Sequence, residues 1–222
     1  GCFSYVDYYY KKCLEIIHDQ NNTKEEAGIY NGLGFNRIVS EQFVQANEYF
    51  NKALLLFYQL KDTYYVAETL YNMATNAILA EKYNEAYDHL TTCLKLLNSI
   101  KYHKMKICNM SKVYGMIVYC SYKMGIEYNA HFYLNKMERV LYHIIHADGE
   151  PDYFLWDDDL FFYYFTSGLL AKSDDLKQAQ EYFDKARFHM FRSEGLLFFA
   201  YAIFASEQAD LYEQQGMHEE AQ

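Results

Sequence analysis

The feature of this sequence that most limits its fold is a spacing of small and large apolar residues that recurs four times. Each copy has an alanine, a large apolar residue four positions later, and an alanine, cysteine or methionine three positions after that. A small or β-branched residue stands twelve positions before each alanine. The copies are Ala46–Phe50–Ala53, Ala86–Leu90–Cys93, Ala130–Leu134–Met137 and Ala179–Phe183–Ala186, preceded by Gly34, Ala74, Val118 and Ser167. Because two helices approach closely only where small residues meet at their crossing, the pattern predicts repeated pairs of antiparallel helices.

This spacing, at positions 8, 20, 24 and 27 of a 34-residue unit, resembles that of the tetratricopeptide repeat (TPR) family. In the first copy, Tyr30, Leu33 and Gly34 stand where that family has its Trp-x-x-Leu-Gly signature. The resemblance implies an all-α fold, a right-handed superhelical solenoid of antiparallel helix pairs. We predict a single array over residues 1–222, with a half-unit at 1–20, full units at 27–60, 67–100, 111–144 and 160–193, and a partial unit at 202–222.

The period is longer than 34 residues and uneven, since successive anchor alanines, ending with Ala221, lie 40, 44, 49 and 42 residues apart. We expect the extra residues to follow the second helix of each unit, while the turn inside each unit keeps its length. Val6, Tyr10 and Cys13 repeat the second-helix spacing at the start of the chain, and Gly216 falls at a turn position near its end. Neither end resembles the polar cap of a solenoid, so this segment is expected to come from within a longer array.

Composition and charge exclude several other classes of protein. One Pro and ten Gly are too few for the turns of an all-β sandwich or barrel. A net charge of −10, without a dense Lys/Arg cluster, disfavours a nucleic-acid partner. No apolar run reaches the roughly 18 residues of a membrane span, and no signal peptide opens the sequence. Five cysteines, an odd number without a C-x-x-C pair, indicate reduced thiols and a cytoplasmic protein.

Catalytic motifs are missing from the sequence, and its two possible cation sites have simpler explanations. No phosphate-binding loop, dinucleotide fingerprint, serine-hydrolase or zinc-protease motif occurs, so we expect no enzyme activity and no cofactor. His143 and His146, with Asp148 nearby, could bind a metal, but we favour two ordinary histidines at a helix end. The aspartates at 157–159 could coordinate a cation, yet their spacing is not that of a calcium loop. We favour a helix start for these aspartates, with Trp156 packed beneath the linker.

The first helix of each unit is the stronger functional candidate, because in TPR arrays these helices line a concave groove. The inward positions carry aromatic and amide side chains, joined in the fifth first helix by Glu207, Asp210 and Glu213. The predicted ligand-binding residues are Asn31, Phe35, Tyr71, Asn72, Thr75, Lys112, Tyr119, Tyr122, Phe161 and Tyr164. Asn amides can hydrogen-bond the backbone of an extended peptide, and Tyr or Phe rings can hold its side chains. The alternative is that many of these aromatic rings only pack between neighbouring helices.

The residues of this sequence argue against one known class of TPR ligand. TPR domains that bind chaperone tails hold the C-terminal carboxylate with a set of Lys, Asn and Arg side chains. The corresponding positions here carry Gly28, Asn31, Asn72 and Lys112, which do not complete that set. A chaperone tail is therefore not the expected ligand.

The long period and the Tyr/Phe-rich, Lys/Asn-rich composition resemble sensory TPR arrays in signalling proteins of low-GC Gram-positive bacteria. Stretches such as "KVYGMIVYCSYKMG" and "YFLWDDDLFFYYF" are most similar to arrays that precede diguanylate cyclase (GGDEF) output domains, with histidine kinase or helix-turn-helix outputs as alternatives. The resemblance implies a peptide or protein segment in the groove and an output domain outside this chain. The competing hypotheses are a constitutive scaffold without switching, and a self-associating module that forms a homodimer.

Overall fold

The computed structural model describes residues 2–19, 22–101, 106–145, 157–193 and 198–217. Every regular element within these ranges is an α-helix, as the repeat spacing predicts. The helices are α1 (Cys2–Asp19), α2 (Thr23–Val39), α3 (Phe43–Gln59), α4 (Thr63–Leu79), α5 (Tyr83–Ser99), α6 (Lys106–Lys123), α7 (Glu127–Ile145), α8 (Asp157–Ala171), α9 (Leu176–Arg192) and α10 (Phe198–Gln214). The predicted all-α class, a solenoid of helix pairs, is confirmed.

The helices fall into two compact units, residues 1–103 and residues 104–222. In the first unit, α2 pairs with α3 and α4 pairs with α5, while α1 packs on α2 and α3 packs on α4. In the second unit, α6 pairs with α7 and α8 pairs with α9, while α8 also packs on both α6 and α7, and α10 packs on α9. The first helices of the pairs, α2, α4, α6 and α8, are those on which the predicted ligand residues lie.

The extra residues of each period go mainly into longer helices. Each of α2, α3, α4 and α5 has 17 residues, and three-residue turns join them. The residues beyond position 60 were expected to extend the second helix or the loop, but α4 already begins at Thr63, before the predicted unit start at 67. The later first helices likewise begin three to five residues before the predicted unit starts. The linker at 146–156, where the period is longest, lies outside the described residues.

Polar caps and tight turns explain where these helices begin and end. The side-chain oxygens of Asn22, Asp62 and Asp175 accept hydrogen bonds from backbone N–H groups in the first turns of α2, α4 and α9. These bonds satisfy N–H groups that have no partner inside the helix. Most of the turns have a left-handed middle residue, with φ between 55° and 75°. These residues are Glu41, Lys61, Glu81, Gly125 and Gly216.

The anchor alanines form the centre of each helix pair. Ala46, Ala86, Ala130 and Ala179 are completely buried. In the first pair, the large residue of the crossing lies directly against a small residue on the partner helix. A Cβ atom added to Gly34 would lie 2.5 Å from the ring of Phe50, which shows how closely α2 approaches α3. The recurring spacing is therefore the spacing of the helix crossings, as expected.

The fourth pair departs from the predicted register by one residue. Its turn has four residues, Lys172 to Asp175, instead of three. However, α8 ends three residues after its crossing residue, whereas α2 ends five residues after Gly34. The contacting positions are therefore one residue closer in sequence than in the first pair, and Gly168 rather than Ser167 lies at the crossing. A Cβ atom added to Gly168 would lie 2.5 Å from the ring of Phe183, which repeats the contact of Gly34 with Phe50. The prediction that the internal turn keeps its length is wrong for this pair.

In three of the helix pairs, tyrosine rings of the two helices contact each other at equivalent positions. In each case, one tyrosine of the first helix lies against one tyrosine of the second, with ring centroids 6.1 to 6.4 Å apart. A lysine three residues after the second tyrosine lies over both rings in two of the pairs. The sets are Tyr30–Tyr49 with Lys52, Tyr114–Tyr133, and Tyr164–Tyr182 with Lys185. These contacts account for part of the high tyrosine content, because amphipathic rings suit the half-buried seam between two helices.

Membrane insertion was not expected from the sequence. Across the helices that the structure describes, none combines the length and the hydropathy needed to span a bilayer.

Two glycines of α2 give a matched test of the crossing. Gly34→Ala should lower stability by about 1–3 kcal/mol, because the added methyl group collides with the Phe50 ring. Gly28→Ala, in the same helix with open space around the added Cβ, should raise stability by about 0.5–1 kcal/mol through higher helix propensity. Urea denaturation of the two variants measures both values. A Gly34→Ala variant as stable as Gly28→Ala would contradict the proposed crossing.

Candidate functional site

The first unit presents a half-buried row of amide and aromatic side chains on α2 and α4. Asn31, Phe35, Tyr71 and Asn72 are all partly exposed. The Asn72 amide donates a 3.3 Å hydrogen bond from Nδ2 to Oδ1 of Asn31, which links the two first helices directly. Thr75 differs, since it is 1% exposed and its hydroxyl donates to the backbone carbonyl of Tyr71. Four of the five predicted residues in this unit are thus open to solvent.

The amide pair keeps hydrogen-bonding capacity beyond its own bond. Each Asn side chain offers two N–H donors and a carbonyl with two lone pairs, and the Asn31–Asn72 bond uses one donor and one lone pair. A neighbouring amide has both of its N–H donors engaged within the fold, because Nδ2 of Asn76 donates to the Phe43 carbonyl and to Oδ1 of Asn47. Asn76 is 1% exposed and fixes α4 against α3. The surface chemistry of the first unit therefore depends on Asn31 and Asn72.

In the second unit, the predicted row becomes more buried and more charged. Lys112 donates a 2.5 Å ion-pair hydrogen bond to Asp158 at the start of α8. Tyr119 is 7% exposed, with its ring 6.0 Å from that of Phe165. Tyr122 is half-buried, and its ring lies 6.0 Å from the ammonium group of Lys172. Of these three predicted residues, only Lys112 and Tyr122 offer appreciable surface.

Two predicted ligand residues of α8 were assigned in the wrong register. Phe161 is completely buried and stacks on Phe165, with ring centroids 5.7 Å apart. Tyr164 lies against the partner helix α9, where it stacks on Tyr182 and His189. The cause is the early end of α8, which leaves one residue fewer between the contacting positions of α8 and α9 than in the first pair and so moves every assigned position of α8 by one. Phe161 and Tyr164 are therefore packing residues within the second unit.

The corrected register brings Lys172 into the row, where it joins a compact cluster of charges. Its Nζ atom lies 3.2 Å from Oε2 of Glu207 and also donates to Asp210. Lys123 approaches the other oxygen of the same carboxylate, with Nζ 3.1 Å from Oε1. Lys172 and Glu207 are only 6% and 5% exposed. Taking charges out of water is costly, so such a cluster persists only because each charge faces an opposite one.

The charge state of Lys172 follows from its neighbours. Burial lowers its pKa, but the hydrogen bond with Asp210 and the charge of Glu207 outweigh burial, so the pKa of Lys172 is raised above its usual value. The lysine therefore stays protonated at neutral pH. The sequence analysis included Glu207 and Asp210 in the row but missed Lys123 and Lys172. A lysine directly after the apolar run of α8, in register with Tyr122 once the positions of α8 are shifted by one, is the signal that could have found Lys172.

The three aspartates at the start of α8 bind side chains of the protein itself. Asp157 accepts a 2.7 Å hydrogen bond from Nδ1 of His189 and lies 3.5 Å from Nε of Arg192. Asp159 accepts from the Ser111 hydroxyl. The remaining member, Asp158, binds Lys112 and the Ser193 hydroxyl. The favoured interpretation as a structural helix start is consistent with these contacts, which also tie α8 to α6 and to the end of α9.

Burial keeps His189 neutral in this arrangement. It lowers the pKa of the His189 imidazole, and the nearby positive charge of Arg192 acts in the same direction, while Asp157 opposes both. Because its pKa is lowered, His189 donates the hydrogen bond from Nδ1 as a neutral ring. Arg192 is then the positive group that faces the negative charge of Asp157. Within the part of the chain that the structure describes, no group of three or more metal-ligating residues occurs. The side chains of His143 and His146, with Asp148 and Trp156, lie outside the described residues.

Comparison with known proteins gives fold relatives only. No protein-family model matches the chain, and no curated protein matches it. Among solved structures, aspartyl phosphate phosphatase F from Bacillus subtilis superimposes with a TM-score of 0.73 at 18% identity, over 97% of this chain and 51% of that one. BtubC from P. vanneervenii gives 0.65 at 13% identity, over 99% of this chain and 85% of that one. The apo form of RapI gives 0.61 at 17% identity, over 96% of this chain and 85% of that one.

These similarities concern the fold, because sequence identity below one fifth does not carry function from one protein to another. The chain spans about half the length of aspartyl phosphate phosphatase F. What they support is an all-α helical repeat, in agreement with the helix pairs described above.

The neutral His189 predicts a specific dependence of stability on pH. Since the folded state holds the imidazole neutral, its stabilising contribution is complete above about pH 6.5 and is lost as pH falls through the lowered folded-state pKa. His189→Asn keeps an N–H donor near Asp157 but cannot titrate. The wild type should therefore lose more stability than His189→Asn between about pH 7.5 and about pH 5.5, as measured by urea denaturation.

An exposed histidine on α7, His131, supplies the control for that comparison. His131→Asn should leave the pH dependence of the wild type unchanged. Equal losses of stability in the wild type and in His189→Asn would show that His189 does not set this dependence.

Proposed function

We propose that this chain is a non-enzymatic binding module that takes an extended peptide or protein segment along its first helices. The observation that carries the proposal is the hydrogen-bonded pair Asn31–Asn72, flanked by the partly exposed rings of Phe35 and Tyr71. An extended peptide needs donors and acceptors for its backbone and apolar contacts for its side chains, and this row supplies both. The acidic character of the chain, with its net charge of −10, favours segments without a large negative charge in the first unit.

The nucleophilic groups of the described core support a non-catalytic role. Burial raises the pKa of Cys93 and of Cys120 to about 12, so both thiols stay protonated at neutral pH. A protonated, buried thiol is neither a nucleophile nor a metal ligand. The structural neighbour named aspartyl phosphate phosphatase F acts, by its name, on an aspartyl phosphate. For this chain we propose the binding function that such a helical repeat supports, without that chemistry.

The row formed by Asn31, Phe35, Tyr71 and Asn72, here called the binding row, also suggests how a ligand could be sensed. Asn72 of α4 binds Asn31 of α2, so a peptide that engages both amides would act on the contact between two consecutive first helices. In stacked repeats each unit contacts its neighbours, and small rotations accumulate along the array. We propose that this chain is the sensory region of a cytoplasmic bacterial signalling protein, with its output region, of the diguanylate cyclase type or another, outside the chain. The support for this context is the resemblance in sequence style.

Alanine substitutions in the first unit test peptide binding. Peptides selected from a short random library on the wild-type protein serve as probes. Tyr71→Ala and Asn72→Ala should each weaken these peptides about tenfold or more, since each removes a central contact. Affinity is measured by isothermal titration calorimetry and folding by thermal denaturation.

Tyr58→Ala provides the matched control, because Tyr58 is an exposed tyrosine on α3, a second helix. It should leave peptide affinity unchanged. Equal affinities in Tyr71→Ala and Tyr58→Ala, or losses of affinity that only follow losses of stability, would refute the binding row.

Self-association is the second candidate function, and the second helices of the second unit favour it. Aromatic side chains on α7 and α9 are strongly exposed, among them Tyr128 at 81% and Phe191 at 74%. Isolated exposed rings are ordinary, but several on consecutive second helices suit an interface between copies or with a scaffold partner.

Light scattering across a range of concentrations tests self-association. If copies associate through this surface, the mass should rise with concentration, and a double variant, Tyr128→Ser and Phe191→Ser, should remain monomeric. A wild type that stays monomeric over the accessible range eliminates this function.

A further inference from the structure

The Glu207 side chain of α10 is held in the way in which a binding site holds a carboxylate ligand. Oε1 lies 3.1 Å from Nζ of Lys123 and 3.5 Å from the hydroxyl of Tyr119, while Oε2 lies 3.2 Å from Nζ of Lys172. Both oxygens thus face positive or donating groups that come from other helices. Charge-assisted hydrogen bonds to both oxygens are the arrangement that recognises a carboxylate most strongly.

The groups that surround the carboxylate come from two separate parts of the second unit. Tyr119 and Lys123 belong to α6, and Lys172 begins the turn after α8. The rings of Tyr119 and Tyr122 lie 5.9 and 6.0 Å from the two ammonium groups and so shield part of each from water. The two lysines therefore come from outside α10. From α10 itself, Lys172 is contacted by the Glu207 side chain, the Glu207 backbone carbonyl at 3.4 Å and the Asp210 carboxylate, whereas Lys123 is contacted by Glu207.

The charge cluster is buried at its centre and partly exposed at its edge. Glu207 and Lys172 are almost completely buried, whereas the side chain of Lys123 is 34% exposed and that of Asp210 is 52% exposed. Solvent therefore reaches the cluster on both sides of the carboxylate. In the sequence register, Glu207 occupies the position of α10 that corresponds to Asn72 of α4.

We propose that Tyr119, Lys123 and Lys172 form a binding site for the side-chain carboxylate of an acidic peptide segment, which Glu207 fills as an internal occupant. This inference rests on the proposed binding function and adds a ligand class to it. A glutamate from a partner would replace the Glu207 side chain between the same two lysines, with no net change of charge in the cluster. The replacement would break the Glu207 side-chain contacts of α10 with Lys123 and Lys172, while Asp210 keeps its contact with Lys172, so ligand binding would act directly on this helix.

Chemical rescue of Glu207→Ala tests the site. The side-chain atoms that the substitution removes correspond to an acetate ion. Asp210 is then the carboxylate that remains close to the lysine pair. The variant should melt about 5 °C or more below the wild type, because a buried charge loses a partner. Sodium acetate should restore most of that loss, while sodium chloride at the same ionic strength should not. If the variant does not fold in chloride, recovery of its helical circular dichroism in acetate is the readout.

Two further variants separate a specific site from a general effect of salt. Glu213→Ala removes an exposed carboxylate from the same helix and should show no difference between acetate and chloride. Glu207→Ala combined with Lys172→Met removes the buried positive charge together with its partner and should lose the response to acetate. Equal stabilisation of Glu207→Ala by acetate and chloride, or a response to acetate in the double variant, would overturn the site.

Two small ligands distinguish the possible sources of the carboxylate. N-acetylglutamic acid amide presents a side-chain carboxylate, and N-acetylalanylalanine presents a chain-terminal one. The first should stabilise Glu207→Ala at lower concentration than the second, and the reverse order would overturn the assigned class of ligand. None of these measurements uses the selected peptides. Failed rescue therefore leaves peptide binding by the first unit intact, and failed peptide binding leaves the carboxylate site intact.

Discussion

The first and fourth helix pairs depend on a close approach between a glycine and a phenylalanine ring. Gly34 lies directly against Phe50, and Gly168 lies against Phe183, at distances that leave no room for a methyl group. This contact sets the separation of the two helices, and therefore which other side chains can meet across the seam. The tyrosine pairs, such as Tyr30 with Tyr49, form only because the crossing fixes them at stacking distance. The helices are short and individually marginal, so this packing is what stabilises them.

The two units use different chemistry on the same structural positions. In the first unit the first helices meet through a neutral bond between Asn31 and Asn72, which stays partly open to solvent. In the second unit the corresponding region contains the buried charges of Lys172 and Glu207. Neutral amides cost little to leave exposed or to pair, whereas buried ions demand defined partners. The binding surface proposed for the first unit is therefore neutral and adaptable, whereas the site proposed in the second unit would be selective for one charge.

Much of the fold could be predicted because the repeat is visible in the local spacing of small and large apolar residues. The buried anchors Ala46, Ala86, Ala130 and Ala179 were all identified from the sequence, and so was the small residue Gly34 at the first crossing. The site was less predictable, because the face on which a residue lies depends on helix register. The early end of α8 leaves one residue fewer between the contacting positions of α8 and α9, so Phe161 and Tyr164 lie in the packing of the second unit rather than at the expected groove positions. The point at which a helix ends carries no periodic signal, so the spacing of apolar residues could not reveal this shift.

The sequence alone determined that this chain forms antiparallel helix pairs, since small and large residues recur at the intervals that helix crossings require. It also determined the residue types available to a ligand, with amides on α2 and α4 and acids on α10. Only the tertiary structure decided which of these side chains remain accessible and which charges face each other. The contact of Lys123 and Lys172 with Glu207 joins residues 84 and 35 positions apart, and such a meeting depends on how helices stack rather than on any local pattern.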